Sequence, residues 1–190
     1  VGPVDQVLEE MLAALDEHGG EPDQKALERW WEEIEGWRKV HGMRYETNEN
    51  GPMKPQQVVQ ALYKATKGDA YVTSDVGQHQ MFAAQYYKFD KPNRLITSGG
   101  LGTMGFGLPV AVGVSMQHPQ REVWLITSEG SLQMNLQELA GAMDYQLTIK
   151  IVLLGNACLG MIRQRQRQDR NANESISQLS HPDWKSLMAS

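Results

Sequence analysis

Cysteine is almost absent: among 190 residues there is one, Cys158, so no disulfide can close within the chain and a disulfide-stapled fold is excluded. A lone thiol suits a reducing cytoplasm, which is the expected compartment. No stretch approaches the roughly 20 apolar residues that a membrane-crossing helix needs. The start, Val1-Gly2-Pro3-Val4, has neither the basic opening nor the apolar run of a secretory signal. It also lacks Met, which leads to the expectation that the chain begins inside a longer protein. Positive charge is scarce too: 18 Lys and Arg stand against 23 Asp and Glu, a net charge of -5. That balance argues against nucleic acid or a membrane surface held by general electrostatics. The basic run Arg163, Arg165, Arg167 and Arg170 alternates with glutamine, has no aromatic interleaving, and reads as a solvated face. Internal repeats and low-complexity segments are missing as well.

What is present is an ordinary globular composition, 41% hydrophobic, in a chain long enough for one sizeable core plus some extra elements. Residues 4 to 15 put Val4, Val7, Leu8, Met11, Leu12 and Leu15 on one helical face, closed by Gly19-Gly20. Residues 24 to 37 repeat the pattern with Leu27, Trp30, Trp31, Ile34 and Trp37, a stripe better explained by packing on a neighbouring domain than by chemistry. Glu46 to Pro52 reads as a linker, so we divide the chain into a helical arm with its linker, 1–51, and a second domain, 52–190. Beyond it, short apolar strands (70–73, 94–97, 122–127, 149–154) alternate with helical patterns (from Pro55, 108–116, 136–145). The last strand, Ile149 to Leu154, is a continuous apolar run of the kind buried on both faces. This alternation predicts an α/β fold with a mainly parallel sheet flanked by helices, whose ligands bind beyond the carboxyl ends of the strands.

Four loops fall at those ends, and they are rich in ligand-binding groups and poor in core-forming ones. The segment Ser98 to Gly107 holds Gly100-x-Gly102-x-x-Gly105. A nicotinamide site would want an acidic residue at the end of the next strand, whereas Glu122 falls at a strand's start. The glycines then either allow close packing of backbone or let backbone approach a flat ligand ring. Glu129 and Asn156, 27 residues apart with one strand–helix–strand unit between them, should reach the same sheet edge. A carboxylate, an amide oxygen and a backbone carbonyl are hard oxygen donors suited to Mg²⁺ and its attendant phosphates. For Glu129 taken alone a solvated carboxylate is the simpler account; the spacing makes a metal site an equal alternative. Ser131 and nearby backbone N–H groups could bind the same phosphates. His79, following Gly77-Gln78, reads as an anion contact.

Taken together, Gly68-Asp-Ala-Tyr-Val-Thr-Ser-Asp-Val-Gly-Gln-His-Gln-Met-Phe-Ala-Ala-Gln85 and Thr97-Ser-Gly-Gly-Leu-Gly-Thr-Met-Gly-Phe-Gly-Leu-Pro109 resemble the catalytic (large) subunits of acetohydroxyacid synthases, close to the bacterial biosynthetic type. Gln133 to Leu139 and Leu159-Gly-Met161 extend the likeness, which covers roughly residues 52 to 166. The resemblance implies the thiamine-diphosphate-binding fold, truncated after Ser190, with the arm as the end of a preceding domain. It implies a transferase of branched-chain amino-acid biosynthesis that condenses pyruvate with a second 2-keto acid and releases CO₂, the cofactor serving as electron sink. Gln78 and His79 would contact the diphosphate, as would Gly130 and Ser131. Gly102 and Met104 would hold the aminopyrimidine. Glu129, Asn156 and the carbonyl of Cys158 would bind Mg²⁺. FAD is expected in the full-length family member, mostly outside this chain. The implied partners are the amino-terminal domain of a second subunit, in a homodimer or homotetramer, and a regulatory small subunit. The glutamate that activates the cofactor belongs to that amino-terminal domain, so no catalytic residue is assigned here and the chain alone is expected to be inactive.

The sequence also departs from that family. Ser128-Glu129-Gly130 stands where the family has Gly-Asp-Gly, Gly155-Asn156 where it has Asn-Asn, and Gln164-Arg165-Gln166 where it has Gln-Trp-Gln. Glu is one methylene longer than Asp and Ser128 restricts the backbone, so weakened metal and cofactor affinity is expected, with Gly155 merely loosening the opposite wall. An alternative from another class follows: a degenerate, non-catalytic remnant kept for assembly. A different thiamine-dependent decarboxylase or oxidase is disfavoured by the Gly-Gln-His-Gln-Met string.

Overall fold

The computed structural model describes residues 2–47, 50–168 and 174–189, and the chain divides into two compact units, Val1–Glu46 and Thr47–Ser190. Arg170 and part of the 46–52 linker lie outside the described residues.

The first unit is two helices. α1 (Val4–His18) stops where Gly19 turns left-handed, φ 49°, and returns its N–H to the Leu15 carbonyl at 3.1 Å. α2 (Gln24–His41) starts on Asp23, whose carboxylate accepts from the Ala26 N–H at 3.1 Å. Both run longer than the apolar periodicity alone suggests, because caps rather than the last apolar residue end a helix. The stripe on α1 and Leu27, Trp30, Trp31 and Trp37 on α2 are exposed; the Trp30 and Trp37 rings meet edge to face at 5.5 Å.

The second unit is an α/β domain. Its elements are α3 (Pro55–Thr66), β1 (Tyr71–Ser74), α4 (Gln78–Tyr86), β2 (Leu95–Thr97), α5 (Gly107–Gln117), β3 (Val123–Thr127), α6 (Glu129–Met134), α7 (Glu138–Asp144), β4 (Ile149–Leu153), α8 (Gly160–Gln168), a 3-10 turn (Glu174–Ser177) and α9 (Trp184–Ala189). The four strands are parallel in the order β2-β1-β3-β4, with Ser74 beside Thr97 and Ile126, and Thr127 beside Leu153. Side chains alternate across β3 and so build two cores. Ile126 joins Val59, Leu62, Val72, Ala83 and Tyr87 beneath α3 and α4, while Val123 and Leu125 join Leu108, Ala111 and Leu132 beneath α5 and α6. The amino-terminal ends of the strands are tied by Arg94, stacked over Tyr71 at 4.1 Å, with Tyr71 in turn stacked on His118 at 4.6 Å.

Two expectations change. β4 is half-buried along its whole length, not buried on both faces, because among the described residues it is an edge strand with β3 as its neighbour. The segments read as loops after β1 and β3 are largely helix: Gln78 and His79 open α4, and Glu129, Gly130 and Ser131 open α6. The chain leaves β1 toward β2 and leaves β3 toward β4, on opposite sides. The carboxyl ends of β1 and β3 therefore flank the crevice where such folds receive ligands.

Candidate functional site

At that crevice lies a cleft of about 680 Å³. Its wall is mostly apolar, from Met53, Val58, Phe82, Leu153 and Met161 among others, with a few polar groups converging on it, the usual make-up of a small-molecule site. Gln78, His79, Gly102, Met104, Asn156 and Cys158 all line it. Glu129, Gly130 and Ser131 do not. They are buried beside it, and Gly130 is closely covered by Leu159, Leu179 and the Met104 methyl.

The residue that organises one wall is Asp75, which sequence reading passed over as part of a loop. It follows β1, is fully buried, and accepts from the Gly105 N–H (2.8 Å) and Gly107 N–H (3.1 Å) on one oxygen and the Thr127 hydroxyl (2.9 Å) on the other. A carboxylate just past β1 thus holds the glycine-rich loop against β3. Asn135 adds a second tie, donating to the Gly105 carbonyl at 2.7 Å. Just ahead of these anchors Gly102 takes φ 68°, a left-handed turn that exposes its backbone to the cleft. The available signal for Asp75 was its place immediately after a strand and before Val-Gly.

His79 is buried at the start of α4 with Nε2 unpartnered. Burial pushes its pKa down to about 4, against the opposing pull of the Asp75 carboxylate and a hydrogen bond to the Asp75 backbone, so the ring is neutral at pH 7. It is a hydrogen-bonding group there, not a cation. Ser131 Oγ is likewise buried without a partner. Gln78 donates to Gln164 at 2.9 Å, tying α4 to α8. Arg165, between Gln164 and Gln166, is exposed.

The Glu129 carboxylate accepts from the N–H groups of Asn156 (3.2 Å) and Ala157 (3.0 Å). Asn156 Oδ1 accepts from the Cys158 N–H at 3.2 Å and its thiol at 3.1 Å. Burial pushes the Cys158 thiol up, which keeps it a protonated donor and not a nucleophile. Glu122, the acidic residue a dinucleotide site would have needed, sits at the opposite end of β3, paired with Lys150 and the Trp124 indole. Ser128 has an extended backbone, φ −128°, that any residue adopts, so its side chain imposes no strain on the turn into α6.

A strand-end cleft built on a parallel sheet, walled by a pinned glycine loop and backed by unpartnered polar groups, is the setting of a phosphate-bearing cofactor. Residues 75–190 match the thiamine pyrophosphate enzyme family, C-terminal TPP binding domain, and the chain belongs to that family. It is also 50% identical over 185 residues to the acetolactate synthase isozyme 3 large subunit of Escherichia coli (strain K12), covering 97% of this chain and 32% of that protein. Identity is 47% over 191 residues to the acetolactate synthase large subunit of Haemophilus influenzae, covering 100% of this chain and 33% of that one. With the acetolactate synthase of Mycobacterium leprae it is 38% over 192 residues, covering 98% and 31%. The chain thus spans about a third of the length of the curated relatives it matches. No helix among the described residues is long and apolar enough to cross a membrane.

Proposed function

We propose that this chain is the thiamine-diphosphate- and Mg²⁺-binding part of an acetohydroxyacid synthase large subunit, which joins pyruvate to a second 2-keto acid with loss of CO₂. The observation that carries the reading is the convergence of Gln78, His79, Gly102, Met104, Asn156 and Cys158 on one cleft at the strand ends.

The residues present suit the cofactor. Two buried polar atoms without partners, Ser131 Oγ and His79 Nε2, flank the strand ends, and buried groups of this kind call for a partner; the hydroxyl can donate to a diphosphate as it stands, and the imidazole does so when a proton sits on Nε2. Glu129, Asn156 and the Cys158 carbonyl offer the hard oxygens Mg²⁺ prefers, and a carboxylate that accepts one N–H on each oxygen keeps further lone pairs. In this reading Gln78, His79, Gly130 and Ser131 receive the diphosphate. Gly102 presents backbone to the aminopyrimidine, and Met104 fills the space beneath it. Bound thiamine diphosphate supplies the electron sink for decarboxylation; the chain orients it and keeps water from its apolar side. Met53, Val58, Phe82 and Leu153 supply apolar lining to the cleft.

The amino-terminal domain of a second subunit would complete the site in a homodimer or homotetramer, with FAD held mostly outside these residues. A regulatory small subunit, a cytoplasmic location and inactivity of the isolated chain belong to the same reading.

The test is calorimetric titration of thiamine diphosphate into the chain with Mg²⁺, then with the metal chelated. Saturable binding that chelation removes supports the reading. Absence of binding under both conditions favours the alternative of a non-catalytic remnant.

A further inference from the structure

Two of the residues that depart from the family's pattern face each other. Glu129 enters α6 from β3 and Gly155 follows β4. Glu129 is 3% exposed, so its side chain has little solvent into which to swing. A Cβ on residue 155 would stand 2.7 Å from its Oε1 and 3.3 Å from its carboxyl carbon. Real Cβ atoms essentially never approach that closely, so the glutamate occupies its place because residue 155 has no side chain. The carboxylate then closes on the next two backbone N–H groups, Asn156 and Ala157. Ala157 is itself left-handed, φ 52°, a conformation a non-glycine residue keeps only when its surroundings hold it. Charge-assisted bonds to a buried carboxylate are among the strongest restraints available for that purpose. Gly155 is therefore not a loosened wall but the room into which the longer acid fits.

We propose that Glu129 and Gly155 form a size-matched clamp, in which the Glu129 carboxylate fixes the Asn156–Ala157 turn and so sets the position of Asn156 and the Cys158 carbonyl toward the cation; the functional half of this inference rests on the cofactor reading above. Glu129 is thus a positioning residue in addition to any direct contact it makes with metal. The two departures depend on each other: with a side chain at 155 the buried carboxylate must shift from its place, and with a shorter acid at 129 the turn loses its anchor.

The test is a double-mutant cycle in the full chain, with Gly155→Ala, Glu129→Asp, both together, and Glu129→Gln as a variant that keeps the shape and one acceptor. Amide exchange at Asn156 and Ala157, read by NMR without ligand, reports the clamp alone. Both amides should be protected in the starting chain. Gly155→Ala and Glu129→Asp should each speed their exchange by about tenfold or more, the size expected for losing a bond to a charged acceptor, with Glu129→Gln falling between. Gly155→Ala should lower the unfolding midpoint strongly beside Glu129 and much less beside Asp, which clears the new methyl. Titration of thiamine diphosphate with Mg²⁺ should show the same non-additivity, a loss of at least about tenfold beside Glu129 and under about threefold beside Asp. Additive effects, or amides indifferent to Glu129→Asp, would overturn the clamp. If no variant binds the cofactor yet the amides and midpoints respond as described, the clamp stands and the cofactor reading falls.

Discussion

Thr127 donates its hydroxyl to Asp75 across the β1–β3 pair at 2.9 Å, and both side chains are wholly shielded from solvent. The other oxygen of the same carboxylate serves Gly105 and Gly107, so Asp75→Ala would strand two buried N–H donors and leave the Thr127 hydroxyl only its 3.4 Å contact with the Ser128 carbonyl. We expect a loss of about 3 kcal/mol or more in urea unfolding, with weaker thiamine-diphosphate binding as the Gly102–Met104 turn loosens. Asp75→Asn keeps the acceptor for the two glycine N–H groups and should cost about 1 kcal/mol. Gly107→Ala attacks the same carboxylate from outside, because its methyl would stand 2.8 Å from Oδ2 and 2.6 Å from the Leu125 side chain. A cost of about 1–3 kcal/mol is expected there.

His79 makes the fold sensitive to acid. The folded chain holds the ring neutral down to about pH 4, while the unfolded chain takes up a proton near 6.5. Between those values the unfolded state binds more protons, so stability is complete above about pH 6.5 and falls as pH drops toward 4. The full swing is about 3 kcal/mol. Chemical denaturation from pH 7.5 to 4 should show a steeper decline in the starting chain than in His79→Gln. Parallel curves for the two would remove His79 as the source.

Gln78 and Gly160 are in closer register than their separation in sequence suggests. A methyl on residue 160 would stand 2.3 Å from Gln78 Oε1. Since that atom is the free end of a flexible side chain, Gly160→Ala should displace Gln78 and break its bond to Gln164 without unfolding the domain. We expect a stability change within about 1 kcal/mol but faster tryptic cleavage at Arg163, Arg165 and Arg167 as the start of α8 frays. Unchanged cleavage would show that the Gln78–Gln164 link does not hold that helix.

The exposed apolar stripe on α1 and α2 should make the isolated chain associate as concentration rises, since contiguous apolar surface of this kind seldom stays in water. Light scattering should report species larger than a monomer, reduced by Leu12→Glu together with Trp31→Glu. A monodisperse monomer at high concentration would count against it.

The parallel sheet, its strand positions within a residue or so, and the glycine-rich wall of the cleft were all readable from apolar periodicity and turn composition. The helices α4 and α6 were not, and the basic run of α8 read only as a solvated helix or loop. The three begin with Gln78-His79-Gln80, Glu129-Gly130-Ser131 and Gly160, polar or glycine residues with no apolar stripe: the first turns of α4 and α8 line the cleft, and that of α6 is buried beside it through polar and glycine residues. The partnership of Glu129 with Gly155 was equally out of reach. Each was visible as a departure, but that one supplies the space for the other depends on two loops meeting in three dimensions. Asp75 escaped for the opposite reason: a buried carboxylate satisfied by backbone N–H groups resembles, in sequence, any acidic residue in a turn.

The tryptophans have a practical bearing on all of these measurements. Three of the five, Trp30, Trp31 and Trp37, lie half in solvent on α2, while Trp124 and Trp184 are in the second unit and neither lines the cleft. Intrinsic emission of this chain is therefore dominated by the arm. It should be nearly silent when a cofactor enters the strand-end cleft, and should shift to the blue when something dry settles over α2. A spectrum taken during purification would tell whether the arm has found a cover before any activity is assayed.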